Sequence, residues 1–454
     1  MYFQNGKNYL TNMKRIKPLE GNKTFCMAPW VHTYLSPQME RRLCCASLEE
    51  STNFKQYIDK HNPSGISDTL NLPTLKEHWN SKYMQSVRKS LMAGKEIPQC
   101  ETCNYKLLNA QVYRQHFNRM YSSQINEAFE KTDEAGYTKM QVTSFDYRFS
   151  NLCNFSCRMC GDMLSSTWEA ENKKHGKGDY ENKRIWGRKD IKKRLQKFHD
   201  QQVVKEFTEA IEEKRIKEFY WCGGEPLMWK IHWTAMQRVI ELGYADRVFA
   251  RYNSNMSRID FYGKNLFDDC LVNFQDWQIN ASIDATGEIG EYIRTGLKYD
   301  EWLANIKYAR KFVKHPRQLQ LDLTVTLPGL FDLENMYNLS KELRVPLLCK
   351  KVFSFSSDVL LSPLCLPRDI LNDIVTNVQN KITDKPNVFN LAFFEGLKDL
   401  KAHPTNEEKY GEEEYKKGLK EGKKHLEYLD KIRGTDITKI FKANERVLEW
   451  WTNI

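Results

Sequence analysis

Residues 139–160 decide the fold, because their sequence, KMQVTSFDYRFSNLCNFSCRMC, runs from a strand-like segment directly into three closely spaced cysteines. The first half is rich in β-branched and aromatic residues, which predicts a β-strand. Cys153, Cys157 and Cys160 follow with the spacing C-x3-C-x2-C, which places them on one loop. Three thiolates there can each bind one iron of a cubane and leave the fourth iron without a protein ligand. A zinc site without a nearby fourth ligand and a ferredoxin-type electron-transfer cluster are the alternatives.

Further strand-like runs follow the loop and alternate with helical patterns such as WTAMQRVIEL (233–242) and DEWLANIKYARKFV (300–313). This alternation predicts an α/β fold with a parallel sheet. Six strands are fewer than the eight of a closed TIM barrel, so we expect a partial (β/α)6 TIM-like barrel. The five further strand candidates are KEFYWC (217–222), RVFARYN (247–253), WQINASID (277–284), LQLDLTVTL (319–327) and LLCKKVFSF (347–355).

The predicted barrel covers residues 139–370 and is flanked by regions of different composition. Residues 20–110 carry five of the twelve cysteines and few obvious strands, so a bound metal is expected to hold them together. Residues 111–138 are a polar, helix-favouring connector. Residues 371–454 are charged and helical in pattern, and their last apolar residues predict docking onto a core. Those residues are Ile437, Ile440, Phe441, Val447, Leu448 and Trp451.

Composition narrows the class of protein. No run approaches the 18 or so apolar residues of a membrane span, and the first residues show no apolar core followed by a small-residue cleavage site. We therefore expect no secretory signal and a soluble, cytoplasmic protein without a membrane partner. Cysteines in that compartment bind metal more often than they form disulfides. The net charge of +10 comes largely from residues 173–197, which hold 12 basic residues, histidine included, and 3 acidic ones. Such a run is usually a solvated face, and RNA binding is the alternative.

Several segments after the strands carry residues suited to a nucleoside and an amino acid. Gly223, Gly224, Glu225 and Pro226 follow the second strand; Asn253, Ser254 and Asn255 follow the third; Ser282 and Asp284 close the fourth; and Arg294 lies in the segment YIRTG. Glycines permit close backbone approach, and a guanidinium matches a carboxylate because both are planar and two-pronged. Together with the cysteine loop, these segments resemble the radical S-adenosylmethionine superfamily.

The resemblance implies both cofactors and a reaction. A [4Fe–4S] cluster with one open iron would be held by Cys153, Cys157 and Cys160, and the amino and carboxylate groups of S-adenosylmethionine would chelate that iron. Reductive cleavage of the C5′–S bond would give a 5′-deoxyadenosyl radical that abstracts hydrogen from a substrate. Met159 stands where the family commonly has an aromatic residue, and it can still offer an apolar face to adenine.

The N-terminal cysteines resemble the twitch or SPASM-like auxiliary-cluster module. Cys26, Cys44, Cys100 and Cys103 match its ligand spacing and could bind a second [4Fe–4S] cluster completely. Met39 replaces the expected glycine. Cys45 is an alternative to Cys44, and a four-cysteine zinc site is the alternative to the cluster. No metal role is expected for His32 or for the scattered cysteines, which are Cys222, Cys270, Cys349 and Cys365.

These features predict a radical enzyme that modifies a peptide or a small metabolite, with the auxiliary cluster relaying electrons. An electron donor such as flavodoxin or ferredoxin is the implied protein partner. An RNA-modifying radical enzyme and a non-catalytic iron–sulfur protein that retains the fold are the alternatives. Catalytic residues, in the sense of a general acid, base or radical-bearing side chain, are not assigned.

Overall fold

The computed structural model describes residues 19–48, 72–106, 112–175, 188–352 and 361–454. The strands are β1 (His32–Leu35), β2 (Arg41–Arg42), β3 (Ser144–Tyr147), β4 (Glu218–Trp221), β5 (Phe249–Ser254), β6 (Asp260–Phe261), β7 (Lys264–Asn265), β8 (Asp276–Ile283), β9 (Leu319–Val325) and β10 (Leu347–Lys351).

The helices in the first half of the chain are α1 (Ala28–Val31), α2 (Leu75–Trp79), α3 (Lys82–Met92), α4 (Val112–Met120), α5 (Ile125–Glu130), α6 (Ser166–Lys174), α7 (Lys189–Phe198) and α8 (Val204–Glu212). Those in the second half are α9 (Lys230–Glu241), α10 (Gly287–Ile293), α11 (Tyr299–Arg310), α12 (Leu333–Leu343), α13 (Arg368–Lys381), α14 (Leu391–Ala402), α15 (Asn406–Tyr410), α16 (Glu412–Arg433), α17 (Thr438–Phe441) and α18 (Glu445–Thr452).

Eight strands form one sheet in the order β10-β9-β8-β5-β4-β3-β1-β2, and β6 pairs with β7 in a separate hairpin. The pairs β1/β3, β3/β4, β8/β9 and β9/β10 are parallel, and β1/β2 is antiparallel. The prediction of an α/β fold is therefore confirmed, and the mostly parallel sheet is compatible with a partial TIM-like barrel. Each of the six predicted strands is present within its predicted run or extends one residue beyond it.

Two strands of the sheet, β1 and the two-residue β2, were missed by the sequence patterns. β1 lies in the cysteine-rich region, where few strands were expected, and it pairs in parallel with β3, His32 opposite Ser144 and Leu35 opposite Tyr147. All four β1 residues are buried, so they lack the alternation that marks a half-exposed strand. The cysteine-rich region therefore extends the sheet at the β3 edge.

The described residues divide into two compact units. The first comprises residues up to 152, together with 170–251 and 273–276; the second comprises 153–169, 252–272 and 277–454. These limits differ from the predicted boundaries at residues 110, 138 and 370, which stay a prediction.

The first unit places an aromatic core on one face of β3 and β4. Phe145, Tyr147 and Phe149 alternate with Ser144, Asp146 and Arg148 along the chain, so the rings share a face. They pack against Phe207 of α8, with ring centroids 4.9 Å apart for Phe149 and Phe207. A second apolar cluster joins α1, α3, α4 and α5 around buried residues that include Trp30, Leu91 and Phe117.

The second unit shows the same alternation on β8. Trp277, Ile279, Ala281 and Ile283 are buried, whereas the residues between them are partly exposed. Residues 361–454 contain six helices, α13 to α18. Ile437, Phe441, Val447 and Trp451 are buried there, whereas Ile440 and Leu448 are only partly buried.

Candidate functional site

The three-cysteine loop belongs to the second unit, and the first turn of α6 fixes its backbone. The hydroxyl of Thr167 donates to the carbonyl oxygen of Cys153 at 2.6 Å, and the indole N–H of Trp168 donates to that of Cys157 at 2.7 Å. Cys157 is 8% exposed, and Cys153 and Cys160 are partly exposed. A loop whose carbonyl groups are already bonded holds its thiols in place with little backbone freedom.

The segment that contains Arg294 fixes the other side of the loop. The amide of Ser156 donates to Thr295 O, and the amide of Arg158 donates to Ile293 O, each at 2.9 Å. Gly296 has a φ of +105°, and a Cβ placed on it would lie 2.7 Å from Asn154 O. A glycine is therefore required at position 296 both by its backbone angle and by the closeness of the loop.

Polar nitrogens lie beside two of the three sulfurs. Arg294 Nη1 is 4.0 Å from Cys157 Sγ, and Asn255 Nδ2 is 4.0 Å from Cys153 Sγ. Burial raises the pKa of the Cys157 thiol to about 12 although Arg294 opposes the shift, and burial also raises the pKa of Cys160. Metal binding must therefore displace protons from these thiols, as is usual for thiolate ligands.

The structure brings together Asp284 and Arg294, two of the residues expected to contact S-adenosylmethionine. Arg294 Nη2 donates to Asp284 Oδ1 at 3.0 Å, and its Nε lies 2.7 Å from Oδ2 without hydrogen-bond alignment. The amide of Thr324 also donates to Asp284 Oδ1 at 3.1 Å. Asp284 thus orients the guanidinium, which already contacts the loop through Cys157.

The other predicted ligand residues of this unit lie at the ends of β5 and β8 or on the loop. Asn253 ends β5 with Ser254 and accepts a 3.0 Å hydrogen bond from Asn280, while Ser254 is buried and accepts one from the amide of Met256. Ser282, on β8, and Met159, on the loop, are partly exposed. Their contacts to a nucleoside stay a prediction.

The GGEP segment (Gly223–Pro226) lies in the first unit, and the local backbone geometry requires glycine at both of its first two positions. Gly223 has a φ of +135°, and a Cβ on Gly224 would lie 2.4 Å from Leu152 O. Glu225 donates its amide to the same oxygen at 2.7 Å, and its carboxylate caps the short helix that begins at Pro226. Leu152 immediately precedes Cys153, so the tight turn is anchored on the residue before the first loop cysteine.

The four N-terminal cysteines converge in the first unit. Cys26, Cys44, Cys100 and Cys103 line one pocket of about 380 Å³, part of it open to solvent. Burial raises the pKa of Cys26 to about 12, and the neighbouring thiols of Cys100 and Cys103 add to that shift. Among the described residues, no group of three or more His, Cys, Asp or Glu side chains could hold a single metal ion.

One polar atom at this pocket has no partner. Arg114 lines the pocket, its Nη2 donates to Asn104 Oδ1 at 2.6 Å and its Nη1 to Lys23 O at 3.2 Å. Its Nε is buried without a hydrogen bond to any described residue. A buried N–H normally finds an acceptor, and a cluster sulfide in the pocket would supply one.

The structure distinguishes Cys44 from Cys45. Cys44 lines the four-cysteine pocket, and Cys45 is not among its lining residues. The pKa of Cys45, raised to about 12 by burial, responds instead to Asp146, Arg148 and Arg251. This placement favours Cys44 as the ligand.

The turn before Cys44 has the backbone shape that a glycine would favour. Met39 has a φ of +64°, in the left-handed region, and its amide donates to Ser36 O at 2.9 Å. The position matches the glycine of the twitch pattern, so the turn is kept although the residue differs.

The sequence reasoning missed a set of polar residues in the first unit. Asp146, Arg148, Glu218 and Arg251 come from β3, β4 and β5 and lie opposite the aromatic core. Glu218 accepts from Ser144 Oγ at 2.7 Å, and Arg148 Nε donates to Asp146 Oδ1 at 3.2 Å. The alternation in SFDYRF (144–149) could have revealed them, because it gives one face to rings and the other to polar groups.

These features define a class before any comparison: an α/β protein with a three-thiolate loop after a parallel strand and an arginine beside it. The family model described as Radical SAM superfamily matches residues 147–339, which include the loop, GGEP and Arg294. The match supports a radical S-adenosylmethionine enzyme whose cofactors are a [4Fe–4S] cluster and S-adenosylmethionine. No curated protein is similar enough to the chain to give a match.

Two further findings bear on the sequence predictions. No helix in the described part of the chain is both long enough and apolar enough to cross a membrane. All twelve cysteines are described, and none forms a disulfide.

Proposed function

We propose that the chain cleaves S-adenosylmethionine reductively at a cluster held by Cys153, Cys157 and Cys160. The observation that carries the proposal is the loop itself: three thiols on a backbone bonded from both sides, inside the stretch that matches the superfamily. A [4Fe–4S] cluster at this loop would supply the electron that breaks the C5′–S bond of S-adenosylmethionine. The loop gives the cluster three protein ligands and leaves one iron for the cosubstrate.

The resemblance to the superfamily implies which residues would hold S-adenosylmethionine. Arg294 would bind the methionine carboxylate, with Asp284 fixing the plane of the guanidinium. The backbone of Gly223–Pro226 would meet the amino group. Asn253, Ser254 and Ser282 would contact the ribose, and Met159 would lie against adenine. These assignments rest on the resemblance and on the strand ends where the residues lie.

The direct test is formation of 5′-deoxyadenosine by the anaerobically reconstituted protein under dithionite. We expect the wild type to form it and Cys157→Ala to form none. Cys270→Ala is the matched control, because it removes a buried thiol outside both cysteine sets. Equal product from Cys157→Ala and the wild type would exclude the loop as the reactive site, and no product from the wild type would favour a non-catalytic iron–sulfur protein.

We further propose that Cys26, Cys44, Cys100 and Cys103 hold a second, fully ligated [4Fe–4S] cluster of the twitch or SPASM type. The common pocket, the orphaned Nε of Arg114 and the left-handed turn at Met39 support this proposal. Four thiolates leave no iron for a substrate, so the cluster's role would be to relay an electron. A four-cysteine zinc site is the alternative, and metal analysis distinguishes the two.

The proposed substrate is a peptide or a small metabolite, and the proposed reductant is a protein such as flavodoxin or ferredoxin. RNA is the less favoured substrate. In the basic run, α7 buries Ile191 and Leu195 and leaves lysines towards solvent, which is typical of a solvated helix face. Residues 176–187 of that run lie outside the described residues. Salt-sensitive RNA binding would support the RNA alternative.

A further inference from the structure

The polar face of the first unit contains two arginines, and some of their N–H groups have no acceptor among the described residues. Arg251 lies over the ring of Tyr220, its Cζ 3.7 Å from the ring centroid, and its Nε is 3.1 Å from Glu218 Oε1. Neither Nη atom of Arg251 hydrogen bonds to any described residue. Arg148 donates from Nε and Nη2 to the carboxylate of Asp146, and its Nη1 has no hydrogen-bond partner among the described residues.

Both arginine side chains are slightly exposed. The Arg148 side chain is 14% exposed and that of Arg251 is 11% exposed, whereas the carboxylates they pair with are fully buried. Arg148 follows the last residue of β3, and Arg251 lies within β5.

The carboxylates that pair with the two arginines also have other partners or are fully used by the pair. Glu218 accepts from Ser144 Oγ at 2.7 Å and contacts His116 Nε2 at 2.9 Å. Both carboxylates are therefore engaged, and the donors left over on this face belong to the arginines. Asp146 lies opposite Tyr34 of β1, whose ring faces Arg148 with 4.9 Å between Cζ and the ring centroid. A guanidinium group that stacks on an aromatic ring is held in place by the ring, and the N–H groups at the edge of its plane can still bind a planar anion.

His32 contacts this face through Ser144. His32 Nδ1 is 2.8 Å from Ser144 Oγ, which itself donates to Glu218. His32 is 2% exposed, and its Nε2 has no hydrogen-bond partner among the residues that the structure describes.

We infer that this face binds the carboxylate of the substrate through Arg148 and Arg251. The inference deepens the proposed function, since it names the chemical class of the substrate as a carboxylate-bearing molecule. It rests on the proposed function only for the identification of the ligand as the substrate. The planar forks of the two arginines match carboxylates in two-pronged hydrogen bonds, and Arg251 keeps both Nη atoms for that purpose.

Binding of a simple dicarboxylate tests the inference without any turnover. We would titrate the anaerobic holoprotein with succinate by calorimetry at low ionic strength, with succinamide as the uncharged isostere and inorganic phosphate as a generic anion. We expect succinate to bind and succinamide not to bind. Arg148→Gln and Arg251→Gln should each weaken succinate binding by about tenfold or more, because each removes charge-assisted hydrogen bonds.

The control is Arg238→Gln, which removes an exposed arginine of the same unit that pairs with Glu212 at the surface. It should leave succinate binding unchanged. If a glutamine variant fails to fold, Arg148→Lys and Arg251→Lys replace it, because they keep the positive charge and lose the two-pronged guanidinium. Weakened succinate binding by a lysine variant of normal thermal stability supports the site. Equal affinity for succinate and succinamide, equal binding of phosphate and succinate, or undiminished binding in the folded variants would overturn it. Absence of 5′-deoxyadenosine would contradict the proposed function and leave this measurement intact.

Discussion

The three-cysteine loop and the four-cysteine pocket differ in what surrounds the sulfur atoms. The loop thiols stand beside Arg294 and Asn255, and two of the three are partly exposed. The pocket thiols pack into an apolar cluster with residues such as Leu43 and Leu91, and a single arginine joins them. The first environment suits a reactive iron that meets a polar cosubstrate, and the second suits a closed cluster that exchanges electrons.

The largest expected effect is the loss of the loop cluster. In Cys153→Ala/Cys157→Ala/Cys160→Ala, iron should fall from about eight to about four atoms per chain, because one of two cubanes loses all its protein ligands. Acid-labile sulfide should fall in parallel. Cys365→Ala removes a buried cysteine elsewhere in the second unit and should keep all the iron. Unchanged iron in the triple variant would place both clusters elsewhere.

The pocket should behave differently when its ligands are removed. Cys100→Ala/Cys103→Ala should lose about four irons and still form 5′-deoxyadenosine, because the loop stays complete. Its thermal unfolding midpoint should also fall, since a metal bound there would contribute to the folding of the surrounding core. If the wild type holds about four irons and one zinc instead, the pocket is structural and the electron-relay proposal fails, while the loop proposal stands.

A smaller effect is expected from the backbone that supports the loop. Gly296→Ala puts a Cβ 2.7 Å from Asn154 O at a φ of +105°. We expect a loss of about 2 kcal/mol in stability and a loop cluster that is lost sooner in air. Gly161→Ala is the matched control, because Gly161 follows Cys160 directly and a Cβ there would meet nothing within 4 Å. Thermal midpoints and iron retention that are equal in the two variants would show that the loop tolerates displacement.

The smallest effect concerns the potential of the pocket cluster. Arg114→Gln removes a buried N–H donor and a positive charge beside the four cysteines. Loss of one charge-assisted hydrogen bond of about 1.4 kcal/mol corresponds to roughly 60 mV for one electron, and the potential should become more negative. Redox titration should show this shift for one cluster only. A shift of the loop cluster, or none at all, would contradict the placement of Arg114.

Much of the fold and of the cysteine sites could be predicted from the sequence, because the patterns that identify them are local. All six predicted strands are present, since β-branched and aromatic runs bounded by polar residues identify strands one at a time. The cysteine spacing and the glycines at 223 and 224 are local patterns of the same kind. Gly223 has a φ of +135°, and a Cβ on Gly224 would lie 2.4 Å from Leu152 O.

The missed features depend on pairing between distant parts of the chain. β1 pairs with β3 across more than 100 residues, and its four buried residues carry no periodic signal. The choice between Cys44 and Cys45 depends on which of the two side chains faces the pocket. The sequence cannot show this, because the two residues are identical and adjacent. The pairing of Arg251 with Glu218 likewise becomes visible only when the strands are placed side by side.

The most direct test of the difference between the two sites is electron paramagnetic resonance of the dithionite-reduced protein with and without S-adenosylmethionine. Cys100→Ala/Cys103→Ala keeps only the loop cluster, and its spectrum should change when S-adenosylmethionine is added, because one iron is open to the cosubstrate. The loop triple variant keeps only the pocket cluster, and its spectrum should not change. A response in the triple variant, or none in the pocket variant, would contradict the assignment of the loop as the site of cleavage.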